Sequence, residues 1–330
     1  MIRQRHAILC ALAIAALLPR PAAADPAGFA FLEVPAGARA SALGGAYASV
    51  AQGVDAAFWN PAALEAAKGV QVTGTHYEFF EKLRHDQFAL AGRMLGGGVG
   101  LSLRALYSEP IDERDENGNL IGTFGSHDLE FALGYGRRVA PGVSLGGSTR
   151  LVRERIANSA AMTYAFGLGG IWEPAGVSGL RLSLSAHDLG PAASYTVDGV
   201  PGAPVPLPAA VQAGGSYGLG VGSGLTLRGA LEGRLTRGRN GVAMLGGELS
   251  GLAGAALRVG LRLNDTATSF SAGAGYALQN LRLDYAFVPP RPWRHPPLLV
   301  LGAVLSPTRS APLSRPRSRA AACRPPARRR

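Results

Sequence analysis

Beyond residue 70, apolar and other side chains alternate one for one along much of the chain. In the run Leu257, Arg258, Val259, Gly260, Leu261, Arg262, Leu263, Asn264, the apolar side chains hold one face and the rest hold the other. Successive side chains of a strand point to opposite faces, so a period of two predicts a ribbon with one oily and one polar side. The pattern recurs. Leu180, Leu182, Leu184 and Ala186 alternate with Arg181, Ser183, Ser185 and His187, and Val99, Leu101, Leu103 and Ala105 alternate with Gly100, Ser102 and Arg104. Leu225, Leu227 and Leu231 alternate with Thr226, Arg228 and Glu232, and Leu281, Leu283, Tyr285 and Phe287 alternate with Arg282 and Asp284. Thirteen such segments can be drawn, near 70–78, 86–94, 97–107, 127–136, 143–154, 162–172, 180–187, 209–218, 224–235, 241–250, 255–263, 268–277 and 280–287. A tilted strand needs roughly 9–11 residues to cross the hydrocarbon core of a membrane, which these lengths suit. Asn117-Gly118-Asn119, Asn240-Gly241 and Asn264-Asp265 supply hairpin turns between segments. The fold class this predicts is all-β, a transmembrane antiparallel β-barrel. A soluble sandwich is the alternative, and it rarely carries so many strands in one domain.

The ends of the chain read differently. Arg3, Arg5 and His6 precede an uncharged apolar run at 7–18, and Ala22, Ala23 and Ala24 precede Asp25. That order predicts a signal peptide over 1–24 and therefore export, to the periplasm as a soluble protein or, as the strand pattern favours, to the outer membrane as a barrel; the run is too short to span a bilayer as a helix. The net charge of +11 is concentrated at the two ends. Without the signal peptide and the Arg-rich stretch after Phe287, the body is near −2 on the counts of Lys, Arg, Asp and Glu, so charge does not point to nucleic acid. Both cysteines, Cys10 and Cys323, lie outside the body, so packing and backbone pairing must hold the exported fold without a disulfide. Glycine supplies 46 of the 330 residues, about twice the usual ~7%, and it interleaves with apolar residues rather than following a collagen period.

Residues 25–68 lack clean alternation and are dominated by alanine and glycine. Small residues permit close backbone contact, which predicts a hatch packed inside the barrel, with a periplasmic strap as the alternative. Asn60-Pro61 is a helix-start signal. Three stretches of this segment carry a resemblance: 31–40 (FLEVPAGARA), 43–47 (LGGAY) and 57–64 (AFWNPAAL). Together they resemble the opening of PorV/PorQ outer-membrane proteins, which are similar to the FadL-type long-chain fatty-acid transporters. The resemblance implies fourteen strands around an N-terminal hatch in the lumen, with hatch roles for Arg39, Gly44, Gly45, Asn60, Pro61 and Ala62. Separately, no cofactor and no enzymatic activity are expected, because the chemical motifs weighed below leave little room for a convergent polar site. Two functions follow from the resemblance: binding or passing hydrophobic small molecules across the outer membrane, or a structural role as a secretion partner of envelope proteins. Outer-membrane lipid is a partner under either reading.

The polar faces of the strands give lumen-lining candidates: Arg104, Arg181, Arg228, Glu232, Arg258, Arg262, Arg282 and Asp284. Chemistry elsewhere is thin. Gly142-Val143-Ser144-Leu145-Gly146 fits a serine-hydrolase pattern, but Ser144 opens a strand instead of a strand-to-helix elbow. His76, Glu78, Glu81 and His85 sit among aromatic residues at a strand end and read as interface and loop residues rather than a metal site. The glycine-rich stretch 218–224 lacks the Lys-Ser/Thr of a phosphate loop. The barrel is expected over 69–288. The tail 289–330 holds ten of the 23 prolines, a poor strand composition, so the thirteen-strand barrel would keep an open edge. Two readings remain for this tail: a disordered basic extension, or a frameshift near Trp293 that has cost the barrel its last strand.

Overall fold

The computed structural model describes residues 27–79, 83–222, 224–290 and 297–306. The expected signal peptide and all of the tail beyond 306 lie outside these residues. Among the described residues the first elements lie inside the barrel: a 3-10 turn (Ala30–Glu33), a helix (Ala38–Ala42), a second 3-10 turn (Gly53–Asp55), a helix (Ala56–Trp59) and a third 3-10 turn (Pro61–Ala66). The strands then follow: β1 (Gln71–Glu78), β2 (Leu83–Met94), β3 (Gly97–Ser108), β4 (Ile111–Arg114), β5 (Leu120–Phe124), β6 (Ser126–Ala140), β7 (Val143–Ile156), β8 (Ser159–Trp172) and β9 (Leu180–Leu189). The remainder are β10 (Ala193–Val197), β11 (Val200–Val205), β12 (Ala210–Gly220), β13 (Thr226–Thr236), β14 (Val242–Leu252), β15 (Ala255–Leu263), β16 (Phe270–Leu278), β17 (Leu281–Val288) and β18 (Leu298–Leu305).

Fourteen of these strands close into one antiparallel barrel. The ladder runs β8-β7-β6-β3-β2-β1-β18-β17-β16-β15-β14-β13-β12-β9 and returns through β8–β9. Closure leaves no backbone edge in lipid, the condition for a sheet to span a bilayer. The two short hairpins stand apart from the wall. β4–β5 forms its own two-stranded sheet, while β10–β11 hangs on the first residues of β8 through Thr196 and Val197. The alternation has its expected consequence. Leu257, Val259, Leu261 and Leu263 face outward and are about half exposed, whereas Arg258 between them is 4% exposed.

All thirteen predicted segments coincide with barrel strands, but the barrel does not stop at 288. The fourteenth strand is β18, in the stretch given above to the tail. It pairs with β17 over Leu298–Leu305 and with β1 from Val72↔Leu305 to Glu78↔Leu299. The open edge expected after Phe287 is therefore absent, and no change of reading frame is needed to supply its partner. Alternation did not reveal β18 because both of its faces are apolar. Leu299, Leu301 and Leu305 face outward, while Val300 and Val304 are buried on the inner side against the hatch.

Candidate functional site: the hatch and its seat in the lumen

The hatch is almost wholly buried, and the wall is shaped to receive it. Asn60 caps the Pro61–Ala66 turn by accepting from Ala62 N at 3.1 Å, the usual service of an Asn at this position. Its side-chain amide donates to Gly170 O at 3.2 Å, tying the turn to β8. Around that turn the wall carries glycines where a side chain would collide. A methyl on Gly146 would stand 2.7 Å from Pro61 O and closer still to Ala62 N; one on Gly169 would stand 2.9 Å from Pro61 Cδ. On the opposite wall Gly260 meets the backbone of Leu43 and Gly44 in the same way. Gly44 and Gly45 have φ of 66° and 82°, a region that glycine enters without steric cost. The glycine excess is thus partly explained by close approach of backbone to backbone.

Charged side chains fasten the other half of the hatch in a closed circuit. Arg39 Nε and Nη2 donate to Glu248 at 2.8 and 2.6 Å, and Arg258 Nε donates to the same carboxylate at 2.6 Å. Arg258 Nη1 lies 2.9 Å from Asp284, to which Arg282 Nε donates at 2.7 Å. Arg282 Nη2 then donates to Asp55 at 2.8 Å, and the Tyr47 hydroxyl donates to Asp55 at 2.7 Å. Arg39 Nη1 faces the Tyr47 hydroxyl at 3.5 Å and closes the ring. Three guanidinium groups meet three carboxylates, so the circuit is neutral. Burial pushes the Asp55 carboxyl up, but Arg282 and Arg39 outweigh it and hold it below the usual carboxylate range. Removing one member would leave an uncompensated buried charge, at a cost of ~3–5 kcal/mol.

The predicted lumen residues all point inward, each in its own setting. Glu232 accepts from Ala48 N at 3.0 Å, Ser49 N at 2.7 Å and Ser49 Oγ at 2.6 Å. Arg181 Nη1 donates to the carbonyls of Ser49 and Ala51 at 3.2 and 2.7 Å. Arg104 Nη1 donates to Leu32 O at 3.1 Å, while its Nε lies 3.2 Å from Glu130. Arg262 Nε donates to Asp265 at 2.7 Å. Arg258, Arg282 and Asp284 belong to the circuit, and Arg228 has no ionic partner among the described residues. Sequence reasoning missed the acids opposite these cations. Glu130 and Asp188 hold Arg150, at 3.6 and 2.8 Å, and Glu248 joins the hatch to β15. The inward phase of Glu130 on β6 and Glu248 on β14 was available as a signal, whereas Asp188 on β9 follows buried His187 with a φ of 57° and breaks the alternation; the partners of all three come from other elements.

At the long-loop end the hatch starts in an apolar chamber. Phe29, Phe31 and Leu32 are buried with Val152, Ala161, Ala165, Ala193 and Leu207, and Phe29 stacks on Tyr195 at 5.9 Å between ring centroids. The wall is irregular here. β8 pairs with β9 only from Phe166 onward and with a register shift, and the β10–β11 hairpin pairs with β8 only at Ser159 and Ala160. Phe29 has φ of 58°, an uncommon value for an aromatic residue. The rejected motifs stay apart from any such site. Ser144 is buried on β7, and His76 is exposed while His85 is buried on the inner side; Glu81 lies outside the described residues.

The comparisons agree with this geometry. The sequence model of an uncharacterised protein family, UPF0164, matches residues 20–159, and no curated protein matches. Among solved structures, the CymD monoaromatic hydrocarbon channel superposes with a TM-score of 0.57 at 12% identity, covering 82% of this chain and 97% of that one. The Pseudomonas putida toluene transporter TodX superposes with a TM-score of 0.54 at 13% identity, covering 82% of this chain and 96% of that one. At these identities the likeness is one of fold: this chain is a fourteen-stranded antiparallel barrel of the architecture found in those channels.

Proposed function

We propose that the protein is an outer-membrane channel or binding protein for hydrophobic small molecules, and that its role is non-enzymatic. The observation that carries the reading is the apolar chamber under β10–β11, filled by the protein's own Phe29, Phe31 and Leu32. A segment of the hatch held by apolar packing can be replaced there by an apolar ligand of similar volume, since burial of either gains ~25 cal/mol per Å² of apolar surface. The two neighbours named for toluene and monoaromatic hydrocarbons support the same chemistry. In the test, purified barrel in detergent is titrated with toluene, followed by Tyr and Trp fluorescence, and a deletion strain is assayed for toluene uptake. Saturable binding that is strengthened in F29A/F31A is expected, because truncation opens the chamber. Absence of binding together with unchanged uptake in the deletion strain overturns the reading.

One observation favours the second reading, a PorV/PorQ-type secretion partner. The spaces left between the hatch and the wall beside the Arg39 circuit and beside Trp59 are only about 20 Å³ each, too small for a hydrocarbon. Such close filling around the middle of the hatch suits a scaffold, although a space of about 340 Å³ remains between the hatch and the wall near Glu33, Arg234 and Arg262. Co-purification with envelope proteins, with no toluene binding, would select this alternative.

A further inference from the structure

The two ends of the barrel differ. At one end the strands are joined by tight connections, such as Leu95-Gly96 between β2 and β3; the other carries the hairpins β4–β5 and β10–β11. In single-chain outer-membrane barrels the short turns face the periplasm. A cavity of about 460 Å³ opens at that end, between the β8–β9 and β12–β13 connections. Arg181, Ser216 and Arg228 line it from the inside, Leu180 and Leu219 line it toward the lipid-facing surface, and Gln52 and the carboxylate of Glu173, which is paired with Arg181 and Arg138, complete its polar lining. Arg181 is already engaged, with Glu173 at 3.3 Å and with two hatch carbonyls. Arg228 is not. It stands opposite Glu248 across β13 and β14, but that carboxylate is taken by Arg39 and Arg258. Its Nε is buried without a hydrogen-bond partner, and among the described residues no carboxylate lies within 4 Å of its guanidinium.

We infer that this niche is a binding site for the anionic head of an amphiphile. A planar guanidinium with unused donors recognises phosphate or carboxylate oxygens in bidentate fashion. The Ser216 hydroxyl lines the same cavity but donates to Ser49 O at 3.2 Å, so the free donors of the niche are those of Arg228. The apolar lip at Leu180 and Leu219 continues onto the surface that faces lipid tails, giving an alkyl chain a path away from the head. The niche lies at the opposite end from the aromatic chamber, so it stands or falls separately from the toluene reading.

The test uses the full barrel in a neutral detergent and three probes: n-decyl phosphate, inorganic phosphate and decanol, each titrated by calorimetry. Decyl phosphate is expected to bind saturably and about tenfold more weakly to Arg228→Gln, with Arg137→Gln, an exposed arginine near the same end, unchanged. Decanol is expected to give the same weak signal with all three proteins. Competition by millimolar inorganic phosphate would identify a free anion as a sufficient ligand; lack of competition would identify the amphiphile. If Arg228→Gln fails to form a heat-modifiable barrel, protection of Arg228 from phenylglyoxal by decyl phosphate in the unaltered protein gives the answer by peptide mass. Equal affinity of the unaltered protein and Arg228→Gln, or no protection of Arg228, overturns the inference.

Discussion

Substituting Gly146 by alanine probes whether the wall is cut to the shape of the hatch. Gly146 adopts an ordinary negative φ, so alanine costs nothing in backbone conformation, and any effect must come from the added methyl. That methyl would stand 2.7 Å from Pro61 O and nearer still to Ala62 N. Carbon and its neighbours rest at ~3.5–4.0 Å, so the turn must retreat by roughly 1 Å. β7 is held on both sides by β6 and β8 along its whole length, so the hatch yields rather than the wall. Overpacking of this kind costs ~1–3 kcal/mol. On the scale of about 1.4 kcal/mol per decade, the population with a loosened hatch rises between about fivefold and about a hundredfold. Trypsin cleavage after Arg39 reports that population, because the site is protected while its guanidinium is bound to Glu248, and cleavage under fast reclosing tracks the open fraction. Gly229→Ala is the matched control, since a methyl there meets nothing within 4 Å. Cleavage of Gly146→Ala at the unaltered rate, or equal acceleration in Gly229→Ala, would refute the reasoning.

Three other outcomes follow from the hatch contacts. Glu248→Gln leaves Arg39 and Arg258 without their shared carboxylate and is expected to destabilise the hatch by ~3–5 kcal/mol, read as faster trypsin cleavage after Arg39; no acceleration counts against the circuit. Asn60→Ala removes the cap on Ala62 N, and a loss of ~1–2 kcal/mol should appear as a lower urea midpoint for hatch release; Asn60→Asp should not restore it, because its buried carboxylate would face the Gly170 carbonyl to which the amide donates, and an unchanged midpoint in Asn60→Ala would count against the cap. Asp55 is held below the usual carboxylate range, so its contribution is complete above the unfolded value of ~3.9 and disappears as pH falls through the lower folded value. Pepsin cleavage within the hatch should therefore rise steeply below about pH 4, and Asp55→Asn should flatten that rise; an identical profile in Asp55→Asn would reject the assignment.

Much of this architecture was legible in the alternation of side chains, and the gaps have physical causes. The oily outer face is set by lipid, a uniform solvent, so its signal is local and survives in every barrel strand from β1 to β17. The inner face answers to the hatch, which is not uniform. Where the hatch is charged or exposes backbone, the wall answers with Arg104, Arg181 or Glu232, and period two is clear. Where the hatch is apolar, as beside β18, the wall answers with Val300 and Val304, and the alternation vanishes. The proline-rich surroundings of Leu298–Leu305 then pointed away from a strand. The short hairpins escaped notice because β4 and β5 are exposed on nearly every residue. The pairing of Arg39 with Glu248 is separated by 209 positions, and no local pattern records which cation meets which acid.

The ladder between β1 and β18 joins the earliest strand of the wall to the latest one. Until β18 is available, both β1 and β17 are bare edges, and the cylinder stays an open gutter. The hatch precedes every strand in the chain, and its heaviest contacts are with strands on both flanks of that gutter. It must therefore be in place before the last ladder zips, since afterwards a folded cargo of helices and turns would have to pass a narrow mouth. Assembly of this molecule is in that sense a wrapping event, with the order of synthesis matching the order in which the pieces must be laid down. Release of the hatch in the finished molecule need not retrace that path.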